Sequence, residues 1–407
     1  MAEEPKKKNR WLKKRLRVLK CLIRRRFFCK ATVIAVTGSC GKTSATYFLG
    51  KILSDGHSCL IGILFNCREA MLKTLRRVNR SHRFVLQETG VHGTGVMADI
   101  LPILRPHIGI VTSIGQDHRQ KFRTLEATAA EKGLLIESLP YSGVAVLNAD
   151  DPHVMAMSSR TNARVLTYGL SAGADVRASD IRCRWPERLS LTVTYRGESV
   201  RIETELFGGL LTGSILAAVC GALAAGIDLK QCAASLKSIQ SFPRRLAIHS
   251  TSRRAWYICD TAKAPYWGVA KVLALLKDVE VPRRTVVFGS FSDTAGSDSE
   301  KYRRTAKEAL KIADRVIFVG KKAIHIRKMV TPEMSGRLYM MESLQDAARL
   351  LAEDVVTDEL VLIKSSNLEH AERLFLSQDA TLQCWKPVCP VDFSCEQCAE
   401  SGLGSLS

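Results

Sequence analysis

The sequence predicts an α/β fold of two sheet-bearing domains. Three observations carry this. Short apolar runs at residues 31–36, 84–87, 108–112 and 144–147 read as buried strands, and they alternate with helical segments at 43–53 and 126–138. The same alternation returns beyond Phe242-Pro243, with strand-like runs at 255–259, 284–289, 315–319 and 359–363. At 407 residues the chain is long enough for more than one hydrophobic core.

Taken in order, the first thirty residues form a basic arm, and the first domain runs over 31–243. Its parallel sheet is interrupted near 176–206, where "LSLTVTYRGESVRIETEL" changes to period-two alternation around a glycine, the pattern of a β-hairpin insert. A small-residue helix over 211–227 follows, and a hinge falls near Phe242-Pro243. A smaller α/β domain occupies 244–378, and 379–407 is a cysteine-containing tail.

Composition is ordinary for a globular protein, with 46% hydrophobic and 25% charged residues, but the net charge is +20. The arm holds thirteen Lys or Arg against Glu3 and Glu4, so more than half of the excess sits there, and nucleic acid is not the expected partner. Leu12, Leu16, Leu19, Ile23 and Phe27 form an apolar stripe on an otherwise basic helix. That pattern suits an anionic membrane surface or a protein partner, and equally an arm packed on its own chain. No uncharged run is long enough to cross a bilayer, and no signal-peptide cleavage site is evident. Thirteen cysteines without such a signal point to a reducing, cytoplasmic compartment, with peripheral attachment at the membrane's inner face as a further expectation.

The stretch "VTGSCGKTS" joins a buried strand to a helix. Gly38, Ser39, Cys40, Gly41, Lys42, Thr43 and Ser44 form a P-loop-like turn in which backbone N–H groups at a helix start neutralise phosphate. Lys42 reaches the terminal phosphates and Thr43 offers a hydroxyl to Mg²⁺. Further along, Glu88, Asp117 and His118, then Asn148, Asp150 and Asp151, follow strands, and Lys132 sits on a helix. All are expected at the ligand edge of an open sheet.

This ordered series resembles the Mur ligase superfamily, ATP-dependent amide ligases, and most of all its D-Ala-D-Ala-adding branch. The likeness runs from about Val33 to Leu376. It implies a P-loop central ATPase domain and a Rossmann-like C-terminal domain. It also implies ATP and Mg²⁺ as cofactors, and a carboxylate and an amine as substrates. By the same resemblance Glu88 binds magnesium, His118 completes a second metal site, and Lys132 is carried as a carbamate that bridges the metal ions. Asn148 and Asp150 match an Asn-x-Asp element. "FPRRLAI" resembles a Pro-Gly-Arg hinge, with Arg245 near the γ-phosphate. "DTAKAP" places Asp260 at the ribose and Lys263 near the phosphates, and "IKSSN" places Lys364 and Ser365 near the incoming amine. Lys42, His118, Lys132 and Arg245 are thus the expected catalytic set.

Three departures accompany the likeness. Only the basic arm precedes the loop, where relatives carry a UDP-binding domain. The expected substrate is therefore an amino acid, peptide or amino-acid polymer rather than a UDP-sugar peptide. "GGLLTGS" replaces the polar helix start expected near adenine, and Lys263 stands where a histidine or asparagine is usual. Beyond the resemblance, Cys384, Cys389, Cys395 and Cys398 fall within fifteen residues and end in C-x-x-C. That spacing suits Zn²⁺, with an iron–sulfur cluster, a redox pair or free thiols as alternatives. The competing functions are a P-loop kinase or hydrolase, and a membrane-associated nucleotide-binding scaffold with reduced catalysis.

Overall fold

A computed structural model describes residues 19–23, 30–64, 68–116, 119–292, 296–391 and 393–403. Residues group into two compact units. The first takes 1–181, 190–204 and 211–239, and the second takes 182–189, 205–210 and 240–407.

The first unit is organised by β1 (Thr32–Thr37), whose Val33, Ile34, Ala35 and Val36 are fully buried. An apolar run without alternation is what a strand covered on both faces requires. It pairs in parallel with β3 (Phe84–Glu88) on one side and β4 (Ile108–Val111) on the other. Strand β2 (Cys59–Gly62) lies outside β3, while β5 (Val144–Asn148), β6 (Arg164–Gly169) and β7 (Val176–Arg182) extend the sheet beyond β4. The expected hairpin is β8 (Ser190–Tyr195) and β9 (Glu198–Glu203). They pair antiparallel across Arg196-Gly197, both at positive φ (49° and 83°), as a two-residue hairpin turn demands. Rather than standing apart, the pair completes a nine-stranded sheet in the order β2-β3-β1-β4-β5-β6-β7-β8-β9.

Helix α1 (Lys42–Ser54) follows β1, α2 (Arg68–Leu75) follows β2, and α3 (Val96–Leu104) follows β3. Helix α4 (Leu125–Glu137) links β4 to β5, with Thr124 accepting from Ala127 N at its start. Helix α5 (Thr212–Ala224) packs beside α1, and α6 (Leu229–Leu236) follows it. The small residues of α5 allow close approach: a Cβ at Gly221 would stand 2.6 Å from Ile110 Cδ1.

Of the basic arm, residues 19–23 are described, and they are helical. Cys21 is buried and Leu22 packs against the core of the first unit, whereas the stripe residues Leu19 and Ile23 are 51% and 43% exposed. Leu12, Leu16 and Phe27 lie outside the described residues. No described helix is long and apolar enough to cross a membrane.

The second unit carries a six-stranded sheet ordered β10-β11-β15-β12-β13-β14. Its central strands are β11 (Trp256–Asp260), β15 (Leu360–Lys364), β12 (Arg284–Phe288) and β13 (Arg315–Val319), all parallel. Edge strand β10 (Ala247–Ser250) is antiparallel to β11, and β14 (Leu338–Met341) closes the other edge. Helices α7 (Tyr266–Leu273), α8 (Asp298–Leu310), α9 (Leu344–Glu353) and α10 (Arg373–Asp379) cover the sheet.

Where β12, β13 and β15 begin, a charged network is buried. Arg315 donates to Glu359 at 2.7 Å, both residues being 1% exposed, and also to Thr285 Oγ1 and Asp354 Oδ2. Arg283 reaches the second oxygen of Glu359 at 2.7 Å. Removing one partner of such a pair strands the other charge. Glu359→Ala is therefore expected to destabilise the second unit by about 3–5 kcal/mol, read as a lowered denaturation midpoint.

Candidate functional site

The first unit gathers its polar groups where β1, β3, β4 and β5 end, the edge at which open parallel sheets bind ligands. Gly38 leaves β1 so close to β4 that a Cβ would stand 2.0 Å from Thr112 Oγ1, and its φ of 145° suits glycine. Cross-bonds hold the loop open: Ser39 N donates to Ser113 O, Cys40 N to Ser113 Oγ, and Gly115 N to Ser39 Oγ. Gly41, at φ 79°, starts α1 without a side-chain cap. The first N–H groups of the helix are thereby left to an anion.

Thr43, in the first turn, donates to Glu88 Oε1 at 3.0 Å, and Leu64 N donates to Oε2 at 3.0 Å. Glu88 is 1% exposed. A hydroxyl beside a buried carboxylate is a hard oxygen donor set of the kind Mg²⁺ takes. Lys42 and Lys132 converge from different helices on one acceptor, Gly38 O, at 2.6 and 3.0 Å. Lys132 is fully buried, and Ser44 is buried beside the loop. Asn148 donates to Thr112 O, which steadies the loop after β4. Asp150 does something else. Both its carboxylate oxygens accept from Leu170 and Ser171 N–H groups, and Asp151 caps the next turn while accepting from Ile114 N. His118 lies outside the described residues.

In the second unit, register puts Asp260 opposite Lys364, at the ends of β11 and β15. Lys364 donates to Asp260 Oδ2 and to Lys263 O, both at 2.6 Å, and is 4% exposed. Ser365 is fully buried beside it. The adjacent arginines Arg244 and Arg245 divide their roles. Arg244 is buried at φ 64°, forms an ion pair with the buried Glu372 at 3.4 Å, and donates to Thr261 O and Asn367. Burial favours a neutral Glu372, but hydrogen bonding from His370 and the charge of Arg244 outweigh it and hold its carboxyl below the usual range. Arg245 is half-buried, and its Nε has no hydrogen-bond partner among the described residues.

Two domain models match this chain: the Mur ligase middle domain over residues 36–222, and the Mur ligase glutamate ligase domain over 244–367. The chain belongs to the Mur ligase family. The UDP-N-acetylmuramoyl-tripeptide–D-alanyl-D-alanine ligase of Mycobacterium bovis is 27% identical over 297 residues, 71% of this chain and 58% of that protein. The Escherichia coli ligase of the same name is 27% identical over 299 residues, covering 72% and 65%. This chain thus spans less than two thirds of either Mur ligase. MurF from Acinetobacter baumannii superposes with a TM-score of 0.80 at 21% identity, over 89% of this chain and 80% of that one. MurF from Thermotoga maritima, solved with ADP, superposes with a TM-score of 0.73 at 19% identity, over 89% and 83%.

Among the Mur ligase motifs, the structure brings Gly38, Lys42, Thr43, Glu88 and Lys132 together in the first unit, and Asp260, Lys263 and Lys364 together in the second. Sequence reasoning missed Thr112 and Ser113, whose bonds to the loop span more than seventy positions and leave no local signal. It also missed Glu372.

Three substitutions test these placements. Gly38→Ala is expected to weaken ATP binding tenfold or more, about 1.4 kcal/mol, by calorimetry. Gly173→Ala, which meets nothing within 4 Å, should bind normally. Arg244→Gly relieves a left-handed backbone but leaves Glu372 buried without its cation. A net loss of about 3 kcal/mol is expected in denaturant unfolding.

Proposed function

We propose that the chain is an ATP-dependent carboxylate–amine ligase. It forms an amide bond through an acyl phosphate and releases ADP and phosphate. The observation that carries this reading is the convergence of Lys42 and Lys132 on Gly38 O, beside the Thr43–Glu88 pair. Family membership and the names of the relatives support it. Those relatives are named for joining D-alanyl-D-alanine to a UDP-N-acetylmuramoyl-tripeptide, so a peptide-type carboxylate and an amino-acid-type amine are the classes proposed here.

A carboxylate does not condense with an amine at neutral pH until one oxygen is made a leaving group. In this reading the N–H groups of residues 38–41 hold the phosphates, and Lys42 moves from Gly38 O to the transferring phosphoryl group. Arg245 is the arginine this reading assigns to that charge, since Arg244 is committed to Glu372. When bound, Mg²⁺ at Thr43 and Glu88 supplies charge neutralisation. A carbamate on Lys132 would turn a buried cation into an oxygen donor. By the family resemblance, Asp260 is assigned the ribose, and Lys364 and Ser365 the amine.

Purified protein, given ATP, Mg²⁺, bicarbonate and a deproteinised cell extract, is expected to release ADP and phosphate only when an acid and an amine are both present. Lys42→Ala should lower the rate by about 10²-fold or more. Lys132→Ala should abolish any stimulation by bicarbonate. AMP as product, or turnover indifferent to amine, would overturn the reading.

A further inference from the structure

We propose that the tail of the second unit holds one zinc-type divalent ion in a tetrahedral set of four thiolates: Cys384, Cys389, Cys395 and Cys398. All four are free thiols, and all four line one cavity of about 10 Å³, room for a single water-sized particle; no three of their sulfurs stand within 4.8 Å of one another, so the ion would draw them together. The chemistry suits a borderline-soft cation that takes four sulfurs in a closed structural site. On binding, four S–H groups release four protons to solvent and four Zn–S bonds form, leaving a centre of net charge −2.

A second observation concerns Arg373, which lines the same cavity and is 1% exposed. Its guanidinium donates to four main-chain carbonyls: His370 at 3.1 Å, Cys384 at 3.1 Å, Glu369 at 2.6 Å and Lys386 at 2.8 Å. Among the described residues no carboxylate lies within ion-pair reach of it. A buried cation bonded only to neutral acceptors, in a cavity whose carboxylate Glu400 is paired with Lys386, calls for a further counter-charge. A tetrathiolate zinc centre supplies one.

The local chain also calls for a cross-link. Among the described residues from Ala380 onward there is no strand and no helix longer than the three-residue turns at Cys395–Gln397 and Ala399–Ser401, and few apolar side chains are buried. Segments with so little core are held by disulfides or metal.

His370 belongs to the support, not to the ligand set. Ligand atoms of His370, Glu372 and Cys395 lie within 4.8 Å of one another. Yet Nδ1 of the ring meets Glu372 Oε1 at 2.8 Å and Nε2 meets Val391 O at 2.9 Å, so both nitrogens are engaged. Glu372 in turn is held by Arg244. The imidazole stands 3.6 Å from Cys395 Sγ, and the contacts run from that thiol through His370 and Glu372 to the hinge.

The test uses the full chain, expressed with zinc and desalted, with metal content read by mass spectrometry. About one zinc per chain is expected, falling tenfold in Cys389→Ser/Cys398→Ser. Cobalt(II) loaded into the wild-type chain should give the sulfur charge-transfer bands and intense visible bands of a tetrahedral thiolate. Zinc should also protect the four tail cysteines from alkylation. Zinc below about a tenth of an equivalent in the wild-type chain would overturn the proposal. So would a weak octahedral cobalt spectrum, or tail cysteines alkylated equally with and without zinc. The cobalt and alkylation readings need only the wild-type protein, so a variant that fails to fold does not blunt the test.

Discussion

The approach of residue 38 to the exit of β4 is the contact on which the first unit's site depends. Parallel neighbours lie about 4.8 Å apart, so the chain leaving β1 must pass the chain leaving β4 with almost no clearance. A residue without a Cβ makes that passage, and Thr112 occupies the space a side chain would need. Everything downstream follows from it. The turn swings the helix start over the sheet edge, the uncapped N–H groups of α1 are left for an anion, and Thr43 arrives beside Glu88 from the neighbouring strand. Ser39 and Ser113 then hold the two loops together, so the cradle is formed before any phosphate enters it.

The second unit uses the same sheet logic with its charges divided between two ends. At the carboxyl ends of β11 and β15, Lys364 joins Asp260 and the carbonyl of Lys263. At the opposite ends, Arg315, Arg283 and Glu359 form a buried network at the starts of the strands. Buried charges of the first kind can be re-partnered by a ligand, whereas those of the second serve the sheet. Arg244 joins neither group. It keeps a left-handed backbone at the hinge because its side chain neutralises Glu372, an attraction that outweighs the roughly 1–2 kcal/mol of backbone strain.

The central strands were legible in the sequence because burial on both faces leaves an uninterrupted apolar run, as at Val33–Val36 and Val316–Val319. The strands that escaped are instructive. Strands β2, β10 and β14 are sheet edges, with one neighbour each and mixed burial, so neither a continuous run nor clean alternation marks them. Strand β6 starts on exposed Arg164, and its apolar stretch is only half its length. The hairpin was readable from its period and its Arg196-Gly197 turn, but not its attachment to the main sheet, which depends on the pairing of β6 with β7.

By itself, the sequence determined the glycine-bearing turn between β1 and α1 and the residue types around it. Glycines before a helix, a lysine and a threonine carry their meaning within seven positions, because backbone conformation and helix geometry are local. It also named Glu88 and Lys132. What only the tertiary structure decided is which groups meet. Lys42 and Lys132 share one carbonyl, Asp150 is spent on the Leu170 turn, and Arg244 rather than Arg245 is tied down. The four tail cysteines likewise face one cavity with Arg373 beside them. These outcomes depend on strand order and on side chains separated by tens to more than a hundred positions. No local spacing encodes them, since the partner is chosen by the sheet and not by the neighbouring residues.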